Sequence, residues 1–290
     1  MGRDSRAPRK RYSLRSFTAA AVLPFLFAMT AASAPAYGET LKISGTGGVL
    51  GAVKLLAEAF REKHPDAKFI FLPSTGSSGA VKAVLAGALD IGVTSRSLKE
   101  EEERQGAVQH RYAYTPFVFA TGIKTRASGI TIGQLAEIYA GAITTWPDGS
   151  PIRLVLRPEA DSDTLTLRSM SRGMDQALDR AFSRKGMSIA MTDQDSADMI
   201  EKIPGALGTT TLSQILTEKR AIKALSMEGV PPTMDALKDG SYPHFKTLYI
   251  VTKGSPSGLP GRFVEFVRSA AARPILLKTG HVVPERKAGD

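Results

Sequence analysis

Leu41-Lys42-Ile43-Ser44-Gly45-Thr46-Gly47-Gly48-Val49-Leu50 reads as a short strand that runs into a glycine loop and then into a helix. Leu50, Val53, Ala57 and Phe60 continue at helical spacing, so the segment is a strand-loop-helix step. Lys68 to Leu72 is the next strand. Ser77 can cap a helix carrying Val81, Val84 and Leu85, and Leu89 to Val93 returns as a strand. Two βαβ steps in succession predict a mainly parallel sheet with helices on its faces.

The alternation continues along the chain. Lys99 to Arg104 is a charged run and reads as a solvated helix face. Tyr114 to Thr121 is an apolar strand, and Thr131 caps a helix with Ile132, Leu135, Ile138 and Tyr139 on one side. Ile152 to Leu156 is a strand that meets Arg157. Leu167, Met170, Met174 and Leu178 then fit one helix face, a methionine stripe that reads as core filler. Asp195 to Ile203 is a helix, and Ala206 to Thr211 and Lys223 to Ser226 are strands. A polar stretch from Gly229 to Pro243 leads into the strand Lys246 to Thr252. Pro260 marks the start of a helix bearing Phe263, Val264, Phe266 and Val267.

The chain has 290 residues, 38 Lys+Arg against 28 Asp+Glu, a formal charge of +10, 42% hydrophobic residues and no cysteine. That length and composition support a buried core, and the missing cysteine excludes disulfide scaffolds, iron–sulfur clusters, Cys-ligated zinc and thiol catalysis. Half of the excess charge lies in residues 1–38, with Arg3, Arg6, Arg9, Lys10, Arg11 and Arg15 against Asp4. Ala19 to Met29 follows without a polar side chain and gives way to small residues, the layout of a secretory signal peptide. The apolar run is shorter than the about 20 residues that span a bilayer. Cleavage is expected after Ala36-Tyr37-Gly38, and with no cysteine for lipid attachment the exported product should be periplasmic and not membrane-anchored. The remaining charge is too mild for a nucleic-acid partner.

Three strand-to-helix junctions share one chemistry. Gly45-Thr46-Gly47-Gly48-Val49-Leu50, Ser74-Thr75-Gly76-Ser77-Ser78-Gly79 and Arg157-Pro158-Glu159-Ala160-Asp161-Ser162-Asp163-Thr164 each place glycine or hydroxyl residues where a helix begins. Unpaired backbone N–H groups and the positive end of the helix dipole favour an anion there. Arg157 adds a permanently charged fork suited to two oxygens at once. Other motifs fail on spacing: Leu50 stands where a dinucleotide fingerprint wants its third glycine, and Gly76 to Gly79 lacks the lysine of a nucleotide P-loop. His64, His110, His244 and His281 are scattered, without a paired carboxylate or metal-ligand spacing, so no catalytic residue, metal or cofactor is expected.

The chain resembles the periplasmic phosphate-binding proteins of ABC importers, within the type II solute-binding proteins. The resemblance runs from Leu41 to about Ile275 and rests on Pro73 to Lys82, on Ala86 to Arg96, on Leu135 to Trp146 and on Gly205 to Gly208. It implies an α/β, two-lobed type II periplasmic-binding-protein fold with two hinge crossings, at Tyr112 to Pro116 and Pro243 to Thr247. The first lobe would combine residues 39–114 and 246–290, and the second would span 115–245. By position, the anion would be held by Gly48, Val49, Leu50, Ser77, Ser78 and Ser95 of the first lobe and by Arg157, Ser162, Asp163 and Thr164 of the second.

Two departures stand out. Well-known members carry aspartate where this chain has Ser95, and that carboxylate accepts the proton of hydrogen phosphate. The second-lobe Ser-Gly-Thr reads Ser162-Asp163-Thr164, one residue further from the arginine. Asp161 or Asp163 could supply the proton acceptor, or both acids could face solvent or cap the helix. The function implied is capture of an oxyanion, inorganic phosphate first, by a monomer that delivers it to an ABC importer permease. Alternatives are another oxyanion (molybdate or sulfate), a sensory or adhesive partner, or an extracytoplasmic phosphatase.

Overall fold

Leu41 and Ile43 alternate with exposed Thr40 and Lys42 and point to one buried side, so β1 (Thr40–Gly45) forms and leads into α1 (Gly47–Lys63). The computed structural model describes residues 39–284; the expected leader, residues 1–38, and the last six residues lie outside the described residues. After α1 come β2 (Lys68–Phe71), α2 (Gly76–Leu85), β3 (Ile91–Thr94), α3 (Glu100–Arg104) and the long β4 (Ala107–Gly122). Then follow β5 (Gly129–Ile130), α4 (Ile132–Ala140), β6 (Arg153–Leu156), α5 (Ser162–Met170), α6 (Arg172–Ser183) and β7 (Ser188–Ile189). The chain continues through α7 (Asp193–Lys202), β8 (Ala206–Thr211), α8 (Leu212–Glu218), β9 (Ile222–Ala224), β10 (Ser226–Met227) and α9 (Met234–Lys238). It closes with β11 (Phe245–Lys253), α10 (Gly258–Val267) and α11 (Arg273–Lys278). Among the described residues no helix is long and apolar enough to cross a membrane.

The main sheet runs β2-β1-β3-β11-β4-β8-β6-β7, with β9 also on β4, while β5 and β10 pair separately. β1 is parallel to β2 and β3, and β6 is parallel to β7 and β8, as two sets of βαβ steps require. β4 and β11 are the antiparallel strands between them. The first part of β4 pairs with β11, and Phe117 to Gly122 pairs with β8 and β9.

Two main apolar cores make the architecture two-lobed. One joins Leu41, Ile43, Leu56, Phe60, Ile91, Tyr112, Leu248 and Phe263; the other joins Phe117, Leu135, Tyr139, Trp146, Leu156, Leu178, Leu207 and Tyr242. On β4 the side chains change core between Ala113 and Phe117, and on the return they change back between Tyr242 and Leu248. Phe60 anchors the first core, edge-on to Phe263 and Phe266 at 5.5 Å each. In the second, Trp146 donates its indole N–H to the Gly205 carbonyl at 3.0 Å. Gly205 has φ +73° and no room for a Cβ beside Pro151, so the Leu135 to Trp146 and Gly205 to Gly208 motifs hold this core together.

Several elements differ from the sequence reading. The stripe of Leu167, Met170, Met174 and Leu178 lies on two helices, because Ser171 is extended (φ −164°, ψ 158°) and its hydroxyl accepts the Met174 N–H to start α6. The helix read from Asp195 begins at Asp193: Thr192 and Asp195 exchange side-chain to backbone bonds in a capping box. Ser77 does not cap α2; Thr75 holds that position. Lys223 to Ser226 is split between β9 and β10. At seven and six residues, α8 and α11 are too short to show a period and have no counterpart in the reading.

Candidate functional site

The starts of α1, α2, α5 and α7 and the residues that follow β3 and β6 meet across the lobes. At α1, Gly48 donates its N–H to Asp193 Oδ2 at 3.1 Å, and the Thr46 hydroxyl donates to the same oxygen at 3.0 Å. Val49 and Leu50 put their side chains into the first core, so backbone groups are what they can offer a ligand. At α2, the buried Ser77 hydroxyl accepts the Ser95 N–H at 3.0 Å and lies 3.3 Å from the Ser95 hydroxyl. The Ser95 hydroxyl in turn lies 3.3 Å from that of Ser162, on the other lobe. Ser77, Ser95 and Ser162 thus form a chain of hydroxyls across the cleft. Ser78 is exposed and accepts from Arg96 at 3.1 Å, outside this chain. Arg96 itself is held in a two-pronged pair by Glu102 at 2.7 and 2.9 Å, and that hydrogen-bonded pair keeps the Glu102 carboxyl below its ordinary value.

Arg157 follows directly on β6 and is buried. It donates to the Ala190 carbonyl at 2.9 Å and to Asp161 at 2.9 Å, and it lies 3.4 Å from Asp193 Oδ1. Its Nε–H, also buried, has no hydrogen-bond partner among the described residues. Burial works against the guanidinium charge, but Asp193, Asp163 and Asp161 together hold its pKa above the ordinary value. Thr164 donates its hydroxyl to the Arg157 carbonyl at 3.2 Å and so fixes the loop.

The two acids of that loop have separate settings. Asp161 caps α5, one oxygen accepting the Asp163 N–H at 2.8 Å and the other facing Arg157. Burial and the neighbouring Asp163 carboxylate raise its pKa despite Arg157. Asp163 points the other way, to Lys246 Nζ at 3.0 Å and the Thr209 hydroxyl at 2.8 Å. Burial pushes it up, but Lys246 and Arg157 outweigh that and hold it below the usual carboxylate range.

The structure therefore brings Gly48, Ser77, Ser95, Ser162 and Arg157 toward one cleft, leaves Ser78 on the rim, and turns Asp163 and Thr164 to support. Sequence reasoning placed Thr46 in the first junction without counting it among the contacts, and missed Asp193, Thr209 and Lys246. The Thr192-to-Asp195 capping spacing was the one available pointer to Asp193, since it sets that residue in the first turn of α7. The side-chain bonds of Ser77, Ser95 and Ser162 run to one another and to the Ser95 N–H, a donor set suited to oxygen atoms of an anion. Among the described residues there is no cluster of three or more His, Asp or Glu able to hold a metal.

Residues 29–271 match a PBP superfamily domain. The chain is 29% identical over 240 residues to the phosphate-binding protein PstS of Bacillus subtilis, covering 79% of this chain and 75% of that protein. It is 25% identical over 215 residues to the phosphate-binding protein PstS of Borreliella burgdorferi, covering 71% and 76%. A putative phosphate ABC transporter substrate-binding protein with bound phosphate from Clostridium perfringens superposes with a TM-score of 0.72 at 23% identity, covering 85% of this chain and all of that one. An ABC-type phosphate transport receptor from Vibrio cholerae gives 0.59 at 21% identity, covering 85% of this chain and all of that one. At these identities the structural likeness speaks for the fold.

Proposed function

The chain belongs to the PBP superfamily, and on that premise we propose that it is an exported solute-binding protein whose cleft captures an oxyanion, inorganic phosphate first, for an ABC importer. The observation that carries this is the meeting of Ser77, Ser95 and Ser162 hydroxyls from both lobes, with the buried Arg157 paired to Asp161, the residue before Ser162, and keeping a spare Nε–H donor. A desolvated oxyanion needs many donors and few counter-charges, and such donors are worth most where water is excluded. Gly48, Val49 and Leu50 supply the α1 helix start, and Thr164 and Asp163 hold the Arg157 loop. The names of the curated relatives point to phosphate.

Residues 39–114 with 246–290, and residues 115–245, act as the two bodies that close on the ligand, hinged at Tyr112 to Pro116 in β4 and at Pro243 to Thr247, where β11 begins. The protein works as a soluble periplasmic monomer, docks on the importer permease, and performs no covalent chemistry. Calorimetry of the purified protein with phosphate should give one-to-one binding, and phosphate at 100 times its Kd should stabilise the fold by about 2.7 kcal/mol. Binding of sulfate or molybdate in place of phosphate would reassign the anion. Turnover of a chromogenic phosphate ester would replace capture with hydrolysis.

A further inference from the structure

Asp193 has partners that an anionic ligand would compete for. Its Oδ2 accepts the Gly48 N–H at 3.1 Å and the Thr46 hydroxyl at 3.0 Å, both on the opposite lobe, and its Oδ1 lies 3.4 Å from Arg157. A helix-start amide, a hydroxyl and a guanidinium are the three donor types that the cleft offers an oxyanion. A carboxylate is itself an oxyanion, and this one is 8% exposed. Asp161 also meets Arg157, but its other bond stays within its own loop, whereas Asp193 reaches across to the start of α1.

The surroundings hold it there. Gln194 donates to the Gly47 carbonyl at 3.2 Å, and the Thr211 hydroxyl donates to the Gly48 carbonyl, so α7 and the end of β8 are seated on the first turn of α1. The Gln214 side chain donates to the Asp193 carbonyl at 3.3 Å from α8. The cations are already outnumbered without a guest. Lys246 pairs with Asp163, and Arg157 faces both Asp161 and Asp193, so the acids of this buried set outnumber its bases by one.

We propose that Asp193 is an internal competitor for the anion donors of the cleft. The ligand takes the Gly48 N–H, the Thr46 hydroxyl and the Nη2 side of Arg157 as the Asp193 carboxylate gives them up. Asp193 thereby sets the affinity of the site, and its cross-lobe bonds draw the lobes together. The proposal rests on the anion-binding reading above.

The test compares the full protein with Asp193→Asn and Asp193→Ala by calorimetry with inorganic phosphate, and by small-angle X-ray scattering in phosphate-free buffer. Far-UV circular dichroism checks that both variants are folded. Both should bind phosphate at least about tenfold more tightly, since each removes a like charge within contact range of the ligand. Both should also show a larger radius of gyration in phosphate-free buffer. Unchanged or weaker binding by both variants, with the parent binding well, would overturn the competition and leave the anion reading standing. An unchanged radius would overturn the latching role. Failure of the parent and both variants to bind phosphate would overturn the anion reading, and this proposal with it.

Discussion

Asp163 stands where the resemblance leads one to expect glycine, and its carboxylate is turned from the cleft into the protein. Both oxygens are engaged, by Lys246 and Thr209, and Lys246 also donates to the Ser162 carbonyl and the Thr166 hydroxyl at 2.9 Å each while lying 4.6 Å above the Phe117 ring. The pair therefore ties the start of α5 to β11, and replaces a close backbone approach with a fixed strut. Asp163→Asn should destabilise the protein by about 3–5 kcal/mol, because it leaves a buried ammonium without its counter-charge, and Lys246→Met should do the same to the carboxylate. The double variant in urea unfolding should lose less than the two single losses together; strict additivity would show that the two side chains are not a unit. The acids of this loop were legible in the sequence as acids near an arginine. Their orientation was not, because it is set by a lysine on a strand that arrives much later in the chain.

At the scale of an element, α1 carries the contact between the lobes on a face of glycines. A Cβ at Gly47 would stand 2.1 Å from Gln194, one at Gly48 would stand 3.1 Å from Thr211, and one at Gly51 would stand 2.4 Å from Thr217 Oγ1 and 2.8 Å from its Cβ. Glycine inside a helix costs about 1 kcal/mol against alanine, so Gly51 gives up helix stability for a close approach to α8. Gly51→Ala separates these effects. Its melting temperature should hold or rise, while phosphate affinity falls several-fold and scattering shows a more open molecule; unchanged affinity would mean that α8 yields freely. The start of α1, the Ser77 loop and Arg157 were readable because a helix start is a local signal. The cleft partner of α1 was not: Asp193 lies 145 residues beyond Gly48, and its meaning exists only once α7 is packed against the first lobe. The run from Leu167 to Leu178 shows the opposite failure, where a continuous apolar period hid the extended Ser171 that ends one helix and caps the next.

For the whole molecule, two cores share one sheet through β4 and β11, and the C-terminal segment adds a third tie. Val282 and Tyr114 exchange backbone bonds at 2.8 Å, and the Thr115 hydroxyl donates to the Gly280 carbonyl at 2.9 Å, so this segment clamps β4 where it passes between lobes. His281 lies fully buried inside the clamp, its Nδ1 near Thr279 and the Leu276 carbonyl, and burial pushes its pKa down to about 4. Burial also lowers His110 and His244. The sign follows from which state takes the proton first. An unfolded histidine protonates near pH 6.5, whereas folded His281 resists until about 4, so its contribution is complete above about 6.5 and is lost as the pH falls through that window. The loss at about pH 4.5 relative to about pH 7 should be about 2–3 kcal/mol from this residue, with His110 and His244 adding in the same direction. His281→Gln, unfolded by urea at both pH values, should show a difference smaller by that amount whatever its stability at neutral pH. If parent and variant lose the same stability on acidification, the clamp histidine is not the group that couples folding to pH, and the acid sensitivity belongs elsewhere.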